Sequence, residues 1–342
     1  MATGSLSAQQ VTLNVSSWMP ATHVLSQTVV QWCDEVAEAT SKRVVCKVLP
    51  KPVSPPPGTF DAVREGLADV SYSVHGYTPD RYTLSQLAEL PFSGDSAEAN
   101  SIAYQRIFDR YLARLNEHRG LKVIAVFTHG PGQLYTLKKP IESLADLQGL
   151  KLRGDGGMVA SVGKAIGVSI VLKPSTEAQE LLASGAIDGL FGPAETIDSL
   201  RLEKLIRYRV VFPGGLYNTS FAFVMNQATW DRIGTADQAV IARLSGEHAA
   251  RMFGHAWDDV DRRALAAMQA NDVLANFADR TFVEAVRAHL ADRAEVDRRG
   301  ARQGARATRT GAARVPRGAL EAAVNPRRAR FACVYNPRSS GR

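Results

Sequence analysis

The segment Asp146-Leu-Gln-Gly-Leu-Lys-Leu-Arg153 carries the turn between a predicted helix and a predicted strand, and it decides the fold class. Residues 141–147 have a helical pattern and residues 150–153 a strand pattern. A second helix is predicted at 158–166 and a second strand at 169–172. Two strands joined by a helix form a βαβ unit, in which the strands normally lie parallel and the helix covers the sheet. The segment therefore predicts an α/β protein.

The same alternation extends in both directions from this segment. It predicts two α/β lobes joined by crossing strands, with a ligand cleft between the lobes. Lobe 1 is assigned to residues 11–130 and 220–258, and lobe 2 to residues 131–219 and 259–290. The other expected strands are 11–15, 44–49, 68–74, 121–127, 133–136, 188–191, 210–212 and 220–225, and the other expected helices are 23–40, 60–66, 97–119, 176–184 and several after residue 230.

The charge of the chain is unevenly distributed. Its 342 residues carry a formal net charge of +7, yet residues 291–342 alone hold thirteen Arg against four acids, which gives +9 and leaves −2 for the remainder. A polyanion-binding function could rest only on this Arg-, Ala- and Gly-rich tail, so no nucleic-acid partner is expected for the folded part. An alternative hypothesis is a frameshift in a GC-rich gene, because codons allowed by the tail can spell an amphipathic helix one base later. The actual codons test this hypothesis.

The N-terminus and the cysteines bear on the cellular compartment. Residues 1–10 are small and polar, like the cleavage end of a secretory signal whose charged and apolar parts are missing; an ordinary disordered terminus is the alternative. No apolar run approaches the ~18 to 20 residues of a membrane helix, so no membrane insertion is expected. Cys33 and Cys46 either pair in an oxidising compartment or stay as two buried thiols. Cys333 lies in the tail.

Motifs of enzymatic chemistry are missing. Gly154-Asp-Gly156-Gly157 lies between a strand and a helix, but Val159 replaces the third glycine of a dinucleotide-binding loop. No phosphate-binding loop, HExxH zinc motif or GxSxG nucleophile motif occurs. We therefore expect no catalytic residues, no metal site and no cofactor.

Six short segments in the same order along the chain resemble the substrate-binding subunit of TRAP transporters, of the DctP type. The resemblance covers approximately residues 11–290 and implies a two-lobed periplasmic binding protein fold, type II-like, with crossing hinge strands. It implies a periplasmic protein that closes on a small organic acid and delivers it to the membrane subunits of an ion-gradient-driven TRAP transporter. The six segments are Ala62-Val-Arg-Glu-Gly-Leu-Ala-Asp-Val70, Gly76-Tyr-Thr-Pro79, Glu89-Leu-Pro-Phe92, Asp146 to Arg153, Ser184-Gly-Ala-Ile-Asp-Gly189, and Phe223-Val-Met-Asn226 with Trp230-Asp231.

Arg153 is the residue to which the resemblance assigns the ligand carboxylate. A carboxylate moved from water into a closed cleft needs a partner that is always charged, and the forked guanidinium of Arg donates two parallel hydrogen bonds to it. The alternative is that Arg153 forms a structural ion pair with an acid such as Asp155. Arg153 is expected to bind from lobe 2, while His75 and Tyr77 complete the site from lobe 1.

The other expected ligand-binding residues come from departures from the family pattern. Gln133 occupies the place of a second arginine, and the remaining positions are aromatic or amphipathic, which favours a monocarboxylate such as a 2-oxo, 2-hydroxy or aromatic acid. Core packing is the alternative role for each aromatic residue. The alternative function is a two-lobed α/β enzyme acting on a carboxylic acid, although His75 lacks an evident catalytic partner in the sequence. The complete expected set is Arg153, Trp18, His75, Tyr77, Gln133, Phe191, Tyr217 and Asn218.

Overall fold

A computed structural model describes residues 10–291. The expectations for the signal remnant, for Cys333 and for the Arg-rich tail fall on residues 1–9 and 292–342, which lie outside the described residues. Residues 10–287 belong to one compact unit, and residues 288–291 to another.

Strands and helices alternate along the chain, as the sequence predicts. The strands are β1 (Val11–Val15), β2 (Val44–Val48), β3 (Val70–Val74), β4 (Leu121–Thr128), β5 (Gln133–Thr136), β6 (Lys151–Gly154), β7 (Ser169–Leu172), β8 (Gly189–Gly192), β9 (Tyr208–Val211), β10 (Ser220–Asn226) and β11 (Leu274–Phe277). The helices are α1 (Val24–Ala39), α2 (Thr59–Arg64), α3 (Ala97–Ile107), α4 (Leu144–Leu147), α5 (Met158–Ala165), α6 (Ala178–Ala183), α7 (Ala194–Ser199), α8 (Gln227–Arg232), α9 (Thr235–Arg243) and α10 (Glu247–Ala270), and residues 280–291 are also helical.

The first sheet has the strand order β2-β1-β3-β10-β4 and forms the centre of lobe 1. β1 is parallel to β2 and β3, whereas β10 is antiparallel to β3 and β4. Valine-rich β1 and β2 suit a pleated, half-buried surface. Helix α1 packs on this sheet through Trp32, whose ring meets Phe223 edge-on at 4.9 Å between ring centres. His23 caps α1, because its Nδ1 accepts a hydrogen bond from Leu25 N at 3.1 Å.

The second sheet has the strand order β11-β9-β5-β8-β6-β7 and forms the centre of lobe 2. β6 is parallel to β7 and β8, and helix α5 connects β6 to β7, so the predicted βαβ unit around Arg153 is present. β5 is antiparallel to β8 and β9. The core of this lobe includes the fully buried Tyr135, Leu190 and Ile197.

Two crossing segments, residues 129–132 and 212–219, connect the sheets. They pair with each other, because Gly132 N donates to Tyr217 O and Leu216 N donates to Gly132 O, each at 2.9 Å. A side chain at position 132 would overlap the Tyr217 ring, so this close approach requires glycine. The strands that follow the crossings, β5 and β10, are the antiparallel strand of each sheet.

The long helix α10 is buried in both lobes. Phe253 and Trp257 belong to the core of lobe 1, and Ala264 and Met268 belong to the core of lobe 2. Gly254 lies against the backbone of α3, where a Cβ would overlap Glu98. This helix is therefore a third connection between the two lobes, after the two crossing segments.

Several elements differ from the sequence prediction, among them α7, for which no helix was expected. The helix expected over 97–119 ends at Ile107, and a π turn and a 3₁₀ turn continue to Leu115, before Asn116 adopts a left-handed φ of 61°. Only helices were expected after residue 230, which is wrong, because β11 pairs parallel with β9. Three of the four residues of β11 are exposed, so its sequence lacks the apolar alternation that marks a half-buried strand.

Cys33 and Cys46 form a disulfide, with their Cα atoms 5.7 Å apart. The bond joins α1 to β2, the edge strand of the first sheet. Within residues 10–291, no helix is both long enough and apolar enough to span a bilayer. In the same range, no group of three or more His, Cys, Asp or Glu side chains is arranged to hold a metal ion.

Candidate functional site

A cavity of about 30 Å³ lies between the two lobes. Lobe 1 contributes the loop after β1 and the end of β3, lobe 2 contributes the residues after β6 and helix α7, and α10 contributes Trp257. Its small volume shows that the lobes approach each other closely here. The lining residues are Trp18, Met19, Leu25, Val74, Tyr77, His129, Asp155, Ser175, Pro193, Glu195, Thr196, Ser199, Leu200, Phe221 and Trp257.

Arg153 lies on the C-terminal half of β6 and does not itself line this cavity; its contact residue Asp155 does. The Arg153 side chain is 1% exposed; Nε donates to Lys173 O at 2.8 Å, and Nη2 donates to Asp155 Oδ1. The ion pair that the sequence allows between Arg153 and Asp155 is thus present. Burial lowers the pKa of Arg153, and the neighbouring Tyr77 and Tyr217 oppose this change. A guanidinium has five N–H donors, so these two contacts leave donors for a ligand.

Tyr77 reaches across the cleft to the Arg153–Asp155 pair. Its hydroxyl lies 3.4 Å from Asp155 Oδ1, and its ring packs edge-on against Trp18 at 6.3 Å between centres. Burial raises the pKa of Tyr77, and the charge of Arg153 partly offsets the rise. Trp18 is fixed in turn, because its Nε1 donates to Tyr72 O at 2.9 Å. Trp18, Tyr77 and Arg153 thus come from three segments and meet at one place.

A second group of rings lies at the crossing segments. Tyr217 meets Phe191 edge-on at 6.0 Å and His129 edge-on at 5.5 Å, and His129 packs against Trp257 at 5.8 Å. Burial raises the pKa of Tyr217, while the charge of Arg153 lowers it. Phe191 and Tyr217 therefore lie on the lobe 2 side of the site, near the expected arginine.

Several buried polar atoms near the cleft have no hydrogen-bond partner within the described chain. A buried polar group without a partner costs free energy, so such a cluster indicates a site that a ligand or water completes. Asn218 has neither its amide nor its carbonyl satisfied, although the side chain is fully buried. The unpaired atoms in this region are His129 Nε2, Tyr217 Oη, Asn218 Nδ2, Asn218 Oδ1 and Trp257 Nε1.

A buried His–Glu contact crosses the cleft at the far side of the cavity. His23 Nε2 of lobe 1 lies 2.7 Å from Glu195 Oε1, at the start of α7 in lobe 2. The two atoms are in ion-pair contact without the angles of a hydrogen bond. Glu195 N donates to Asp261 Oδ1 at 2.7 Å, which ties α7 to α10. Glu195 is therefore held by contacts with both lobe 1 and α10.

Two expected site residues have their polar atoms engaged elsewhere. His75 Nδ1 is 3.0 Å from Ser220 Oγ, and its Nε2 is 2.8 Å from His118 Nε2. Burial, and then the neighbouring His118, hold the pKa of His75 well below its ordinary value. Gln133 uses both halves of its amide on the backbone of Phe212, with Nε2 donating to O at 3.0 Å and Oε1 accepting from N at 2.8 Å.

Of the expected set, only Trp18 and Tyr77 line the cavity. The lining residues outside that set include His129, Glu195 and Trp257. His129 lies next to the expected lobe boundary at residues 130 and 131, which is its one signal in the sequence. Glu195 and Trp257 lie on helices whose sequence pattern does not distinguish a cleft-facing side chain from a core one.

Close contacts across the cleft explain the glycine-rich loop after Arg153. Gly76 of lobe 1 lies against Gly156 and Gly157 of lobe 2, and a Cβ at position 76 would be 3.2 Å from Gly156 C. Beside them, Glu89 Oε2 accepts from Met158 N, the first amide of α5, at 2.9 Å. These glycines allow a close contact between the backbones of the two lobes.

The comparisons with known proteins agree with this fold. A TRAP periplasmic solute-binding protein from Bordetella bronchiseptica, solved with (R)- and (S)-mandelate, is 41% identical; it has a TM-score of 0.81 and covers 84% of this chain and 91% of that one. A marine metagenome TRAP solute-binding protein specific for aromatic acid ligands, solved with 3-hydroxybenzoate, is 29% identical, with a TM-score of 0.79 and the same coverage. The two-lobed fold expected from the sequence is confirmed.

A curated relative is the outer membrane transporter protein TsaT of Comamonas testosteroni. It is 26% identical over 279 residues, which are 81% of this chain and 82% of that protein. The family model DctP, described as bacterial extracellular solute-binding protein, family 7, matches residues 15–292. With more than half of its length matched, the chain belongs to the DctP family and is an extracytoplasmic solute-binding protein of the TRAP type.

Proposed function

We propose that this protein binds an aromatic monocarboxylate in the cleft and that Arg153 binds the carboxylate. The observation that carries the proposal is one fully buried arginine beside a cavity walled by Trp18, Tyr77 and other rings. A buried guanidinium offers fixed paired donors to a carboxylate, and flat rings offer apolar contact to an aromatic group. The mandelate and 3-hydroxybenzoate bound by two similar proteins support the same class.

The charges of the cavity favour a single carboxylate. Among residues 10–291, those that line the cavity include two acids, Asp155 and Glu195, and no Arg or Lys. A second carboxylate on the ligand would find no cation in this wall to offset its loss of hydration. A dicarboxylate is therefore a poor fit.

Tyr217 and Asn218 supply the polar contacts proposed beyond Arg153. Both side chains are fully buried and retain unpaired polar atoms, so a ligand oxygen bonded to them gains more than it would in water. Trp18, Tyr77 and Phe191 form the apolar part of the proposed site. His75 and Gln133 are not included in this set, because their polar atoms are engaged within the protein.

The proposed mechanism is closure of the lobes around the ligand. A ligand that touches Tyr77 on lobe 1 and Arg153 on lobe 2 stabilises the closed form by its difference in affinity for the two forms. The TRAP membrane subunits would then receive the ligand from this form.

A ligand screen tests the proposed class. Thermal unfolding, followed by calorimetry, is measured with benzoate, mandelate, benzyl alcohol and succinate. We expect benzoate and mandelate to raise the melting temperature, because a ligand that binds only the folded state stabilises it. Benzyl alcohol lacks the carboxylate, and succinate carries two without a ring, so neither should bind. A stabilising effect of benzyl alcohol equal to that of benzoate would contradict the proposal.

Arg153→Lys tests the role of the arginine. The substitution keeps the positive charge and removes the forked pair of guanidinium donors. We expect affinity for the best acid of the screen to fall about a hundredfold, ~3 kcal/mol. Lys151→Ala is the matched control, because Lys151 lies on the same strand with its side chain exposed. Circular dichroism checks the fold of both variants. Unchanged affinity in a folded Arg153→Lys variant would exclude Arg153 as the carboxylate partner.

A further inference from the structure

Asp155 is a carboxylate built into the site, two residues after Arg153. It lines the cavity, its side chain is 11% exposed, and Oδ1 contacts Arg153 Nη2 and lies 3.4 Å from the Tyr77 hydroxyl. Within residues 10–291, the other oxygen, Oδ2, takes part in no hydrogen bond. Asp155 therefore presents an unused acceptor to the cavity, beside the proposed carboxylate partner.

The chemistry of an ionised carboxylate restricts what can bind next to it. An ionised Asp accepts hydrogen bonds and donates none, and its ion pair with Arg153 favours the ionised form. A ligand hydroxyl can donate to Oδ2. A ligand ketone has only lone pairs, so it would face the carboxylate with repulsion and without a bond.

The position of Asp155 beside Arg153 makes this restriction act on one carbon of the ligand. Arg153 uses Nε on Lys173 O and one N–H of Nη2 on Asp155 Oδ1. A ligand carboxylate on the remaining donors would share one guanidinium with Asp155 and lie beside it. The substituent on C2, the carbon next to that carboxylate, would then be the ligand group within reach of Oδ2.

We propose that Asp155 is a specificity-determining residue that selects a 2-hydroxy acid over the corresponding 2-oxo acid. The inference rests on the proposed function and deepens it, since the aromatic monocarboxylate becomes an aromatic 2-hydroxy acid. Asp155 acts here as the acceptor of the C2 hydroxyl, while its contacts with Arg153 and Tyr77 hold it in place.

The test compares three acids that differ only at C2: mandelate with a hydroxyl, phenylglyoxylate with a ketone, and phenylacetate with neither. Calorimetry measures their affinities for the full chain. We expect mandelate to bind about a hundredfold more tightly than phenylglyoxylate, because the ketone leaves a buried charged acceptor unpaired. Phenylacetate should lie between them, since it loses the hydrogen bond without adding repulsion.

Asp155→Asn is the decisive variant, because its amide has nearly the same shape and can donate to a ketone. We expect the mandelate preference over phenylglyoxylate to shrink to within about tenfold, mainly through tighter binding of phenylglyoxylate. Asp155→Ala is a second variant. Its preference for mandelate over phenylglyoxylate should also fall, but phenylglyoxylate should not bind it as tightly as it binds Asp155→Asn. Lys151→Ala is the control and should keep the wild-type preference.

Two outcomes overturn this inference and are distinct from failure of the proposed function. Equal wild-type affinity for mandelate and phenylglyoxylate would show that C2 is not recognised, and an unchanged preference in Asp155→Asn would show that another residue recognises it. If none of the three acids nor benzoate binds, the proposed function fails as well.

Discussion

Asp261 is an acid buried inside helix α10, where it receives the amide of Glu195 and lies against Gly130. A Cβ at position 130 would overlap its carboxylate, so the site is tightly packed. Burial raises the pKa of Asp261 to about 8; the Glu195 amide lowers it, and the charge of Glu195 raises it further. The carboxyl is therefore mostly neutral at pH 7.

Asp261→Asn tests whether the Asp261 carboxyl is neutral in the folded protein. In the unfolded chain the pKa of an Asp is about 4. Between pH 4 and 8 the folded state therefore holds a proton that the unfolded state has lost. Stability contributed by this group therefore falls as pH rises through that window. We expect Asp261→Asn, which stays neutral, to gain unfolding free energy relative to the wild type between pH 5 and 8.5. Urea unfolding measures it, with exposed Asp34→Asn as the control; parallel curves for wild type and Asp261→Asn would contradict it.

The site residues show how far sequence reasoning reaches at this scale. The position of Arg153 on β6 was predictable from its strand pattern, whereas its role as the carboxylate partner stays a prediction. His75 follows the wholly buried strand β3, and the sequence does not show that its ring turns towards His118 and Ser220 inside lobe 1. The sequence also does not show the partner of Gln133, because its pairing with the backbone of Phe212 depends on where β9 ends. Side-chain direction is set by tertiary neighbours, which a single sequence does not contain.

Elements with a regular apolar pattern were predictable, and β11, which lacks one, was not. Alternating valines give β1 and β2, and the helical spacing of apolar residues gives α1, whereas exposed β11 left no pattern. The pairing of Cys33 with Cys46 was open for a related reason. It depends on α1 placing one sulfur beside the edge strand β2, which is a matter of packing.

The disulfide makes a prediction at the scale of these two elements. The two cysteines are 13 residues apart, and closing a loop of that size restricts the unfolded chain by about 3 kcal/mol at 25 °C. We expect a reductant, or the double change Cys33→Ala and Cys46→Ala, to lower the free energy of unfolding by about that amount. Urea unfolding with and without reductant measures it. The double variant is its own control, because reductant should leave its stability unchanged; a wild type insensitive to full reduction would contradict the estimate.

At the scale of the whole molecule, the two lobes meet through polar contacts across the cleft. Glu89 is buried and accepts from Met158 N of lobe 2 and from Ser220 N and Oγ at the start of β10. Burial raises the pKa of Glu89, and these hydrogen bonds oppose the rise. His23 and Glu195 meet across the other side. The two lobes thus share polar contacts without a ligand, and a ligand in the cleft would add further contacts between them.

Gly76→Val tests whether closure is linked to binding. Gly76 needs no left-handed backbone, but a Cβ there would lie 3.2 Å from Gly156 C in the other lobe, which is tighter than ordinary packing. The two methyl groups of Val add to this contact, and we expect the lobes to relieve it by separating. Because affinity falls with the fraction of molecules that reach the binding-competent form, we expect ligand affinity to drop by at least about tenfold. The unfolding free energy without ligand should change little, since each lobe keeps its own packing. Gly76→Ala should give a smaller loss.

Gly58→Ala is the matched control, because a Cβ there meets Ser54 at an ordinary 3.6 Å within lobe 1. Calorimetry gives the affinities, and small-angle X-ray scattering with and without mandelate gives the change in radius of gyration. A wild type that contracts on binding, beside a Gly76→Val variant that binds weakly and contracts less, is the result expected of a closing cleft. Wild-type affinity in a folded Gly76→Val variant would mean that the backbone contact between Gly76 and Gly156 is not part of the ligand-bound form, and that closure stops short of it.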